Sequence, residues 1–353
     1  MLLIVTFLLA GLGLLSAPDG GFRVTQLPQQ ELHVAPGQYS GIAYLGGDRY
    51  AVVDDKLPGG GIVFFDIPLR DNGRVRTGRV RRTVPEATAT SAVTGLDNEG
   101  IVYAGGKLYV SAEGDQSIRE YDMDGRPTGR AFAVPEDLGT AAIVKNGGFE
   151  ALAYDAVADC FWTTTEMPLT ADGKSSRLHR LQRFDASHQP DGRFLYQTDA
   201  PHATEAEAGS AMAYVHGISA MTALEDGRLI VLEREVYVPG GRPKDILANA
   251  FTQMKLYLVD PTGASAGGDA GTVLPKQLLY GFATHLSLTA AGIDVALANY
   301  EGMCLGPRLP DGRLTLILLA DSQAGVPGLS KRLGRKQLTR EFIRVLLLDV
   351  VGR

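Results

Sequence analysis

Glu99-Gly100-Ile101-Val102-Tyr103, a turn at Gly105-Gly106-Lys107, and then Leu108-Tyr109-Val110-Ser111-Ala112-Glu113 read as two short strands folded back on each other, opened by one acid and closed by another. Aliphatic and aromatic residues fill both runs, and paired glycines suit the tight turn between them. A hairpin this small cannot bury its own apolar faces, so it must pack against further strands.

The phrase recurs along the chain. Upstream it runs from Ser40-Gly41-Ile42-Ala43-Tyr44 to Val52-Val53-Asp54-Asp55. Downstream, Glu150-Ala151-Leu152-Ala153-Tyr154 leads to Thr163-Thr164-Thr165-Glu166, and His216-Gly217-Ile218-Ser219-Ala220-Met221 leads to Val231-Leu232-Glu233. The last copy runs from Glu301-Gly302-Met303-Cys304-Leu305 to Leu319-Ala320-Asp321. Each is followed by a third apolar run, as at Ile62 to Ile67 or Ser117 to Met123, and several of these end in Asp/Gly turns such as Asp122-Met123-Asp124-Gly125. Repeated units of four antiparallel strands predict an all-β chain, a β-propeller with five or six four-stranded antiparallel blades around a central channel. The fifth copy runs out of chain before its outermost strand, which Phe22 to Leu27 can supply. The irregular stretch Phe282 to Asn299 leaves a sixth, degenerate blade open. Unequal spacings, about 50 to 85 residues between repeat starts, suit a ring with loop insertions better than a solenoid.

The 353 residues are 45% hydrophobic and 21% charged, which is globular composition, and the 43 glycines are scattered among turns rather than gathered in a linker. One domain over residues 21–353 is therefore expected. The net charge of −6 argues against nucleic acid as a partner. The basic stretches, Arg74 to Arg82 and Lys331 to Lys336, read as solvated faces. Residues 1–20 carry an apolar run, Leu2 to Leu15, followed by small residues; they read as a signal peptide or N-terminal apolar segment that leaves a mature chain without a membrane span, secreted or periplasmic. Cys160 and Cys304 lie in apolar runs and match no metal motif, so buried free thiols and a single disulfide both remain open. Trp162 reads as core. Serine-hydrolase elbows, phosphate loops and His-x-x-x-His spacings are missing.

In a propeller the residue that opens the innermost strand and the residue that closes the next lie at one end of the ring. That geometry gathers Ser40 with Asp54, Glu99 with Glu113, Glu150 with Glu166, His216 with Glu233, and Glu301 with Asp321. Carboxylates so crowded must bind a cation, pair with a base, accept amide N–H groups or keep a proton. A hard ion such as calcium suits a ring of oxygen donors. Glu99, Glu150, Glu301 and Asp321 are the expected metal ligands; Glu113, Glu166, Glu233 and His216 are the expected catalytic groups, serving as base or as further ligands. Clamping of neighbouring blades by the same acids is the structural alternative.

Asp97-Asn98-Glu99-Gly100-Ile101, Gly148-Phe149-Glu150-Ala151-Leu152-Ala153, Thr165-Glu166-Met167-Pro168-Leu169, Leu232-Glu233-Arg234 and Asn299-Tyr300-Glu301-Gly302-Met303 together resemble the phytase-like family described by its esterase-like activity. The resemblance spans about residues 35 to 350 and implies a secreted or periplasmic propeller that hydrolyses small-molecule esters or phosphoesters, here expected to act as a monomer. Where a more acidic Asp-Asp or Asp-Asn ending is expected, this chain reads Asp321-Ser322. Holding phosphate also calls for basic groups, and Arg234 and Arg119, then Lys56 and Arg308, are the nearest by motif. A non-catalytic propeller that binds a ligand or a protein at the same mouth, with a structural calcium, is the competing expectation.

Overall fold

The computed structural model describes residues 21–350 except 174, 269–270, 295–297, 323–325 and 327, so the expected signal segment 1–20 and Gln323 lie outside the described residues. The chain opens with β1 (Phe22–Gln26) and β2 (Gln30–Glu31). Blade 1 is β3 (Tyr39–Gly46), β4 (Arg49–Asp54), β5 (Ile62–Asp66) and β6 (Arg81–Thr83), and blade 2 is β7 (Asn98–Ala104), β8 (Lys107–Ala112), β9 (Ser117–Tyr121) and β10 (Pro127–Ala131). Blade 3 is β11 (Phe149–Asp155), β12 (Cys160–Thr165), β13 (Leu178–Phe184) and β14 (Pro190–Gln197). Blade 4 is β15 (Ala213–Ala223), β16 (Leu229–Val238), β17 (Phe251–Val259) and β18 (Lys276–His285). After the short strands β19 (Ser287–Leu288) and β20 (Ile293–Asp294) come β21 (Asn299–Leu305), β22 (Leu314–Asp321), β23 (Gln337–Leu338) and β24 (Phe342–Val350).

Blade 5 runs β21-β22-β24-β1, so the N-terminal strand supplies the missing outer strand. Phe22 pairs with Val350 and Gln26 with Leu346, antiparallel. The innermost strands β3, β7, β11, β15 and β21 touch in sequence, with β21 returning to β3, so the ring is closed. The stretch 282–299 builds no blade among the described residues: its start extends β18, and β19 and β20 join β23 in a small three-stranded sheet.

Blade packing explains why the second strands read as unbroken apolar runs instead of alternating with polar residues. Each blade is covered on both faces, so both sets of side chains are buried. In β22, Leu316 and Leu318 face blade 4 while Ile317 and Leu319 face blade 1. Each of the blade interfaces has its own apolar cluster: Val53 with Val110, Tyr109 with Phe161, Trp162 with Val231, Leu232 with Leu316, and Val52 with Ile317. Trp162 is core, as expected. Cys160 and Cys304 are buried free thiols in two different clusters, which rules out a bond between them.

Candidate active site at the channel mouth

At one end of every innermost strand the ladder slips by one residue. The register breaks between Tyr39 and Ile42, Asn98 and Ile101, Phe149 and Ala151, Ile218 and Ala220, and Tyr300 and Gly302. A bulge leaves an unpaired residue and re-aims its side chain. The bulged positions are Ser40, Glu99, Glu150, Ser219 and Glu301, and the positions closing the second strands opposite them are Asp55, Glu113, Glu166, Arg234 and Asp321.

The next residue in each copy is small for a steric reason. A Cβ on Gly100 would lie 2.8 Å from the Glu150 carbonyl oxygen, one on Gly41 2.4 Å from that of Glu99, and one on Gly302 2.8 Å from that of Ser40. In blades 1, 2 and 5 the neighbouring innermost strand passes too close for a Cβ there, whereas blades 3 and 4 carry Ala151 and Ala220 at the same position. Glycine is thus what lets the acids converge.

The acids open into a cavity of about 510 Å³. Asp55, Asp97, Glu99, Glu113, Glu150, Glu166, Glu301 and Asp321 line it, together with Lys56, Lys145 and Arg234. Below them Ile42, Ile101, Leu152, Met221 and Met303 line a much smaller space, of about 10 Å³, in the channel. Glu99, Glu113 and Glu150 each bring a carboxylate oxygen within 4.8 Å of the others, and Asp55, Asp97 and Glu99 do the same, with Glu99 shared between the two groups.

Arg234 sits in the midst of these acids, 4% exposed, bonded to Glu166, Glu301 and the Asn299 side chain and 3.5 Å from Glu150. Burial lowers its pKa, but the charges of Glu166, Glu301 and Glu150 outweigh that and raise it. Glu99 is pushed well above the usual carboxylate range by burial and then by Glu301. Glu150 is raised likewise by burial and by Glu99. Burial also raises Glu166 against the pull of Arg234, and raises Glu113 against the amide of Gly148, which donates to it at 3.1 Å. Asp55 is raised to about 6 by burial despite its 2.6 Å bond from Lys56. Eight carboxylates face three cations, and burial first, with neighbouring carboxylates second, is what raises the pKa values of Glu99 and Glu150.

Of the residues singled out from sequence, Glu99, Glu113, Glu150, Glu166, Glu301, Asp321 and Arg234 meet at the cavity. The others do not. Asp54 turns the other way to Arg82 (3.3 Å), and its neighbour Asp55 takes the mouth position, because the register pairs Asp54 itself with Tyr39. In blade 4 the same shift turns Glu233 out, where Tyr196 (2.6 Å), the Asp199 amide (2.9 Å) and Lys276 (2.5 Å) tie it to the outer strands. His216 lies three residues ahead of the true repeat position, Ser219, in a side crevice with Asp199, Glu233, Glu235 and Lys255, where burial lowers its pKa. Arg119 pairs with Asp115, and Arg308 with Glu225 at 2.5 Å, both away from the cavity. Asp97, Lys145 and Asn299 were missed. Asp97 has φ of 52°, which carries it out of strand geometry and beyond the repeat alignment.

The family model described as phytase-like, esterase-like activity of phytase, matches residues 35–323. No curated protein matches the sequence. Among solved structures, a streptogramin B lyase is 10% identical with a TM-score of 0.35, covering 93% of this chain and 98% of that one. A PQQ-bound aldose sugar dehydrogenase from Streptomyces coelicolor is 13% identical with a TM-score of 0.41 over 94% and 100%. The Dos1 propeller is 9% identical with a TM-score of 0.33 over 89% and 68%.

Proposed function

The chain belongs to the phytase-like family of esterase-like activity, and from that premise we propose that it is a metal-assisted hydrolase of small phosphate or carboxylic esters working at the acidic mouth. The observation that carries the reading is the convergence of Glu99, Glu113 and Glu150, and of Asp55, Asp97 and Glu99, on two adjoining oxygen-only positions. The donor set fits a hard divalent cation such as calcium, because its donors are carboxylate oxygens and three basic groups, of which Lys56 pairs with Asp55 and Asp97, leave most of the charge of eight carboxylates unmatched. Glu301, which Arg234 and Asn299 already hold, is poorly placed to be a ligand.

When bound, such an ion would supply positive charge against the oxygens of the substrate. The chain's own groups do the rest. Lys56 and Lys145 line the entrance and orient an anionic ester. Glu166, which Arg234 holds at the cavity and whose pKa burial raises, would take the proton of the attacking water and return one to the leaving alkoxide. Export as a monomer belongs to the same reading. Among the described residues no helix is long and apolar enough to cross a membrane.

Calorimetry with calcium, followed by turnover of p-nitrophenyl phosphate and p-nitrophenyl acetate, tests the proposal. Calcium binding with calcium-dependent turnover, both lost in Glu99→Gln, is the expected result. Calcium binding without turnover on any ester would favour the non-catalytic propeller, a reading to which the three-way locking of Arg234 lends support.

A further inference from the structure

Strand direction places the acidic mouth at one end of the ring and the turns β3–β4, β5–β6 and β9–β10 at the other. At that far end, the segment joining β5 to β6 carries Arg70, Arg74, Arg76, Arg79 and Arg81, all exposed. None of the five has a carboxylate partner among the described residues; only Arg82 turns inward, to Asp54. The segment's acids are few: Asp66, held by Arg49 at 3.6 Å, and Asp71. Its backbone is fixed, since the Gln30 side chain bonds both the N–H and the C=O of Val75, and Val75 and Val80 are buried in the core. A protein with a net charge of −6 therefore displays a rigid, unneutralised arginine cluster at one corner.

Apolar chemistry shares this end. Tyr103, Met123, Val157 and Val350, exposed by 38%, 38%, 64% and 38%, stand at far-end turns and strand tips of blades 2, 3 and 5. Gly73 of the arginine segment packs on Leu27 and Leu347 of blade 5, whose Phe22 end is also at the far end. The unpaired arginine cluster matches the headgroup phosphates of an anionic bilayer surface, and the scattered apolar tips on the other blades of this end, though flanked by the exposed Asp124, Asp159 and Asp349, supply side chains that hydrocarbon could take up. Duplex nucleic acid would use the arginines and leave the apolar tips unexplained.

We propose that this end of the ring docks on anionic phospholipid, holding the acidic mouth away from the negatively charged surface. The full chain is tested by co-sedimentation with vesicles of phosphatidylcholine containing about one-third phosphatidylglycerol, against vesicles of phosphatidylcholine alone. Tight binding to the anionic vesicles only, released near 0.5 M salt, is expected. Replacing Arg74, Arg76, Arg79 and Arg81 together by Gln should weaken it about a thousandfold. Val157→Asp with Met123→Asp, which leaves the arginines in place, should weaken it as well, and an unchanged melting temperature shows that either variant is folded. Equal sedimentation of the parent chain and the arginine variant would overturn the proposal, because Leu2–Leu15 alone would then be the anchor. Equal binding to the two vesicle types would also overturn it, as would salt-sensitive capture of duplex DNA without vesicle binding.

Discussion

Replacing Arg234 by Met tests the electrostatics of the mouth most directly. The guanidinium is buried among Glu150, Glu166 and Glu301, and Met fills much of its volume without its charge. Removing one partner of a buried ion pair costs about 3–5 kcal/mol, because the remaining charges are left uncompensated. For a chain of this length that corresponds to a fall in Tm of roughly 5 °C. The cost should depend on pH with a definite sign. Glu99, Glu150 and Glu166 have pKa values raised in the folded state, so the folded protein binds more protons than the unfolded one. Stability is then highest below the unfolded carboxylate range and falls as pH rises through the raised values. Loss of Arg234 should raise them further and steepen that fall. Thermal unfolding in EDTA at pH 5 and pH 8 should show a small difference between variant and parent at the lower pH and the full one at the higher, with added calcium restoring part of the loss. Equal melting temperatures at pH 8 in EDTA would refute the account.

Asp54 and Asp55 separate structure from site within one dipeptide. Asp54→Asn should lower stability by about 1–3 kcal/mol through its bond to Arg82 and leave calcium affinity unchanged, whereas Asp55→Asn should weaken calcium binding, as read by calorimetry. Gly100→Ala should destabilise by about 1–3 kcal/mol in chemical denaturation, since its Cβ would meet the Glu150 carbonyl and the Ser111 hydroxyl. Calcium affinity should rise between pH 5 and pH 8, because the raised carboxyls of Glu99, Glu113 and Asp55, the last at about 6, must lose protons to become ligands. His216→Ala should leave ester turnover within about twofold of the parent, the imidazole being in the side crevice; a larger loss would return it to the catalytic set.

The sequence made the architecture legible because a repeat imposes its own alignment: hairpins with matching glycines and acids have few other ways to bury both faces. Blade closure was legible for a similar reason, since a terminal blade short of one strand needs a partner and Phe22 begins a suitable one. The bulge was not. It adds one residue to the innermost strand, and in blades 1 and 4, where Ser40 and Ser219 stand at the bulge instead of an acid, the acid read as closing the second strand lies one place short of the position that faces the cavity. There Asp54 stands in for Asp55 and Glu233 for Arg234, whereas Glu113, Glu166 and Asp321 face the cavity as read. In blade 4 the misleading element was His216-Gly217, which imitates the Glu-Gly of its sister blades although Ser219-Ala220 occupies their place. Its Gly217 serves a different close approach, 2.0 Å from a would-be Cβ to the Glu166 carbonyl oxygen.

Joining the first strand to the last also governs how the molecule is made. A nascent polypeptide emerging from the ribosome, or threading across a membrane, holds β1 from the outset without its partner, and gains that partner only when β24 is complete. Until then the toroid is open along one seam, so its assembly must finish after β24 has been synthesised or translocated. Because Phe22 and Val350 are directly opposed, a short engineered turn could link them, and new ends cut between β2 and β3 would give a circular permutant whose seam is sealed by continuous backbone.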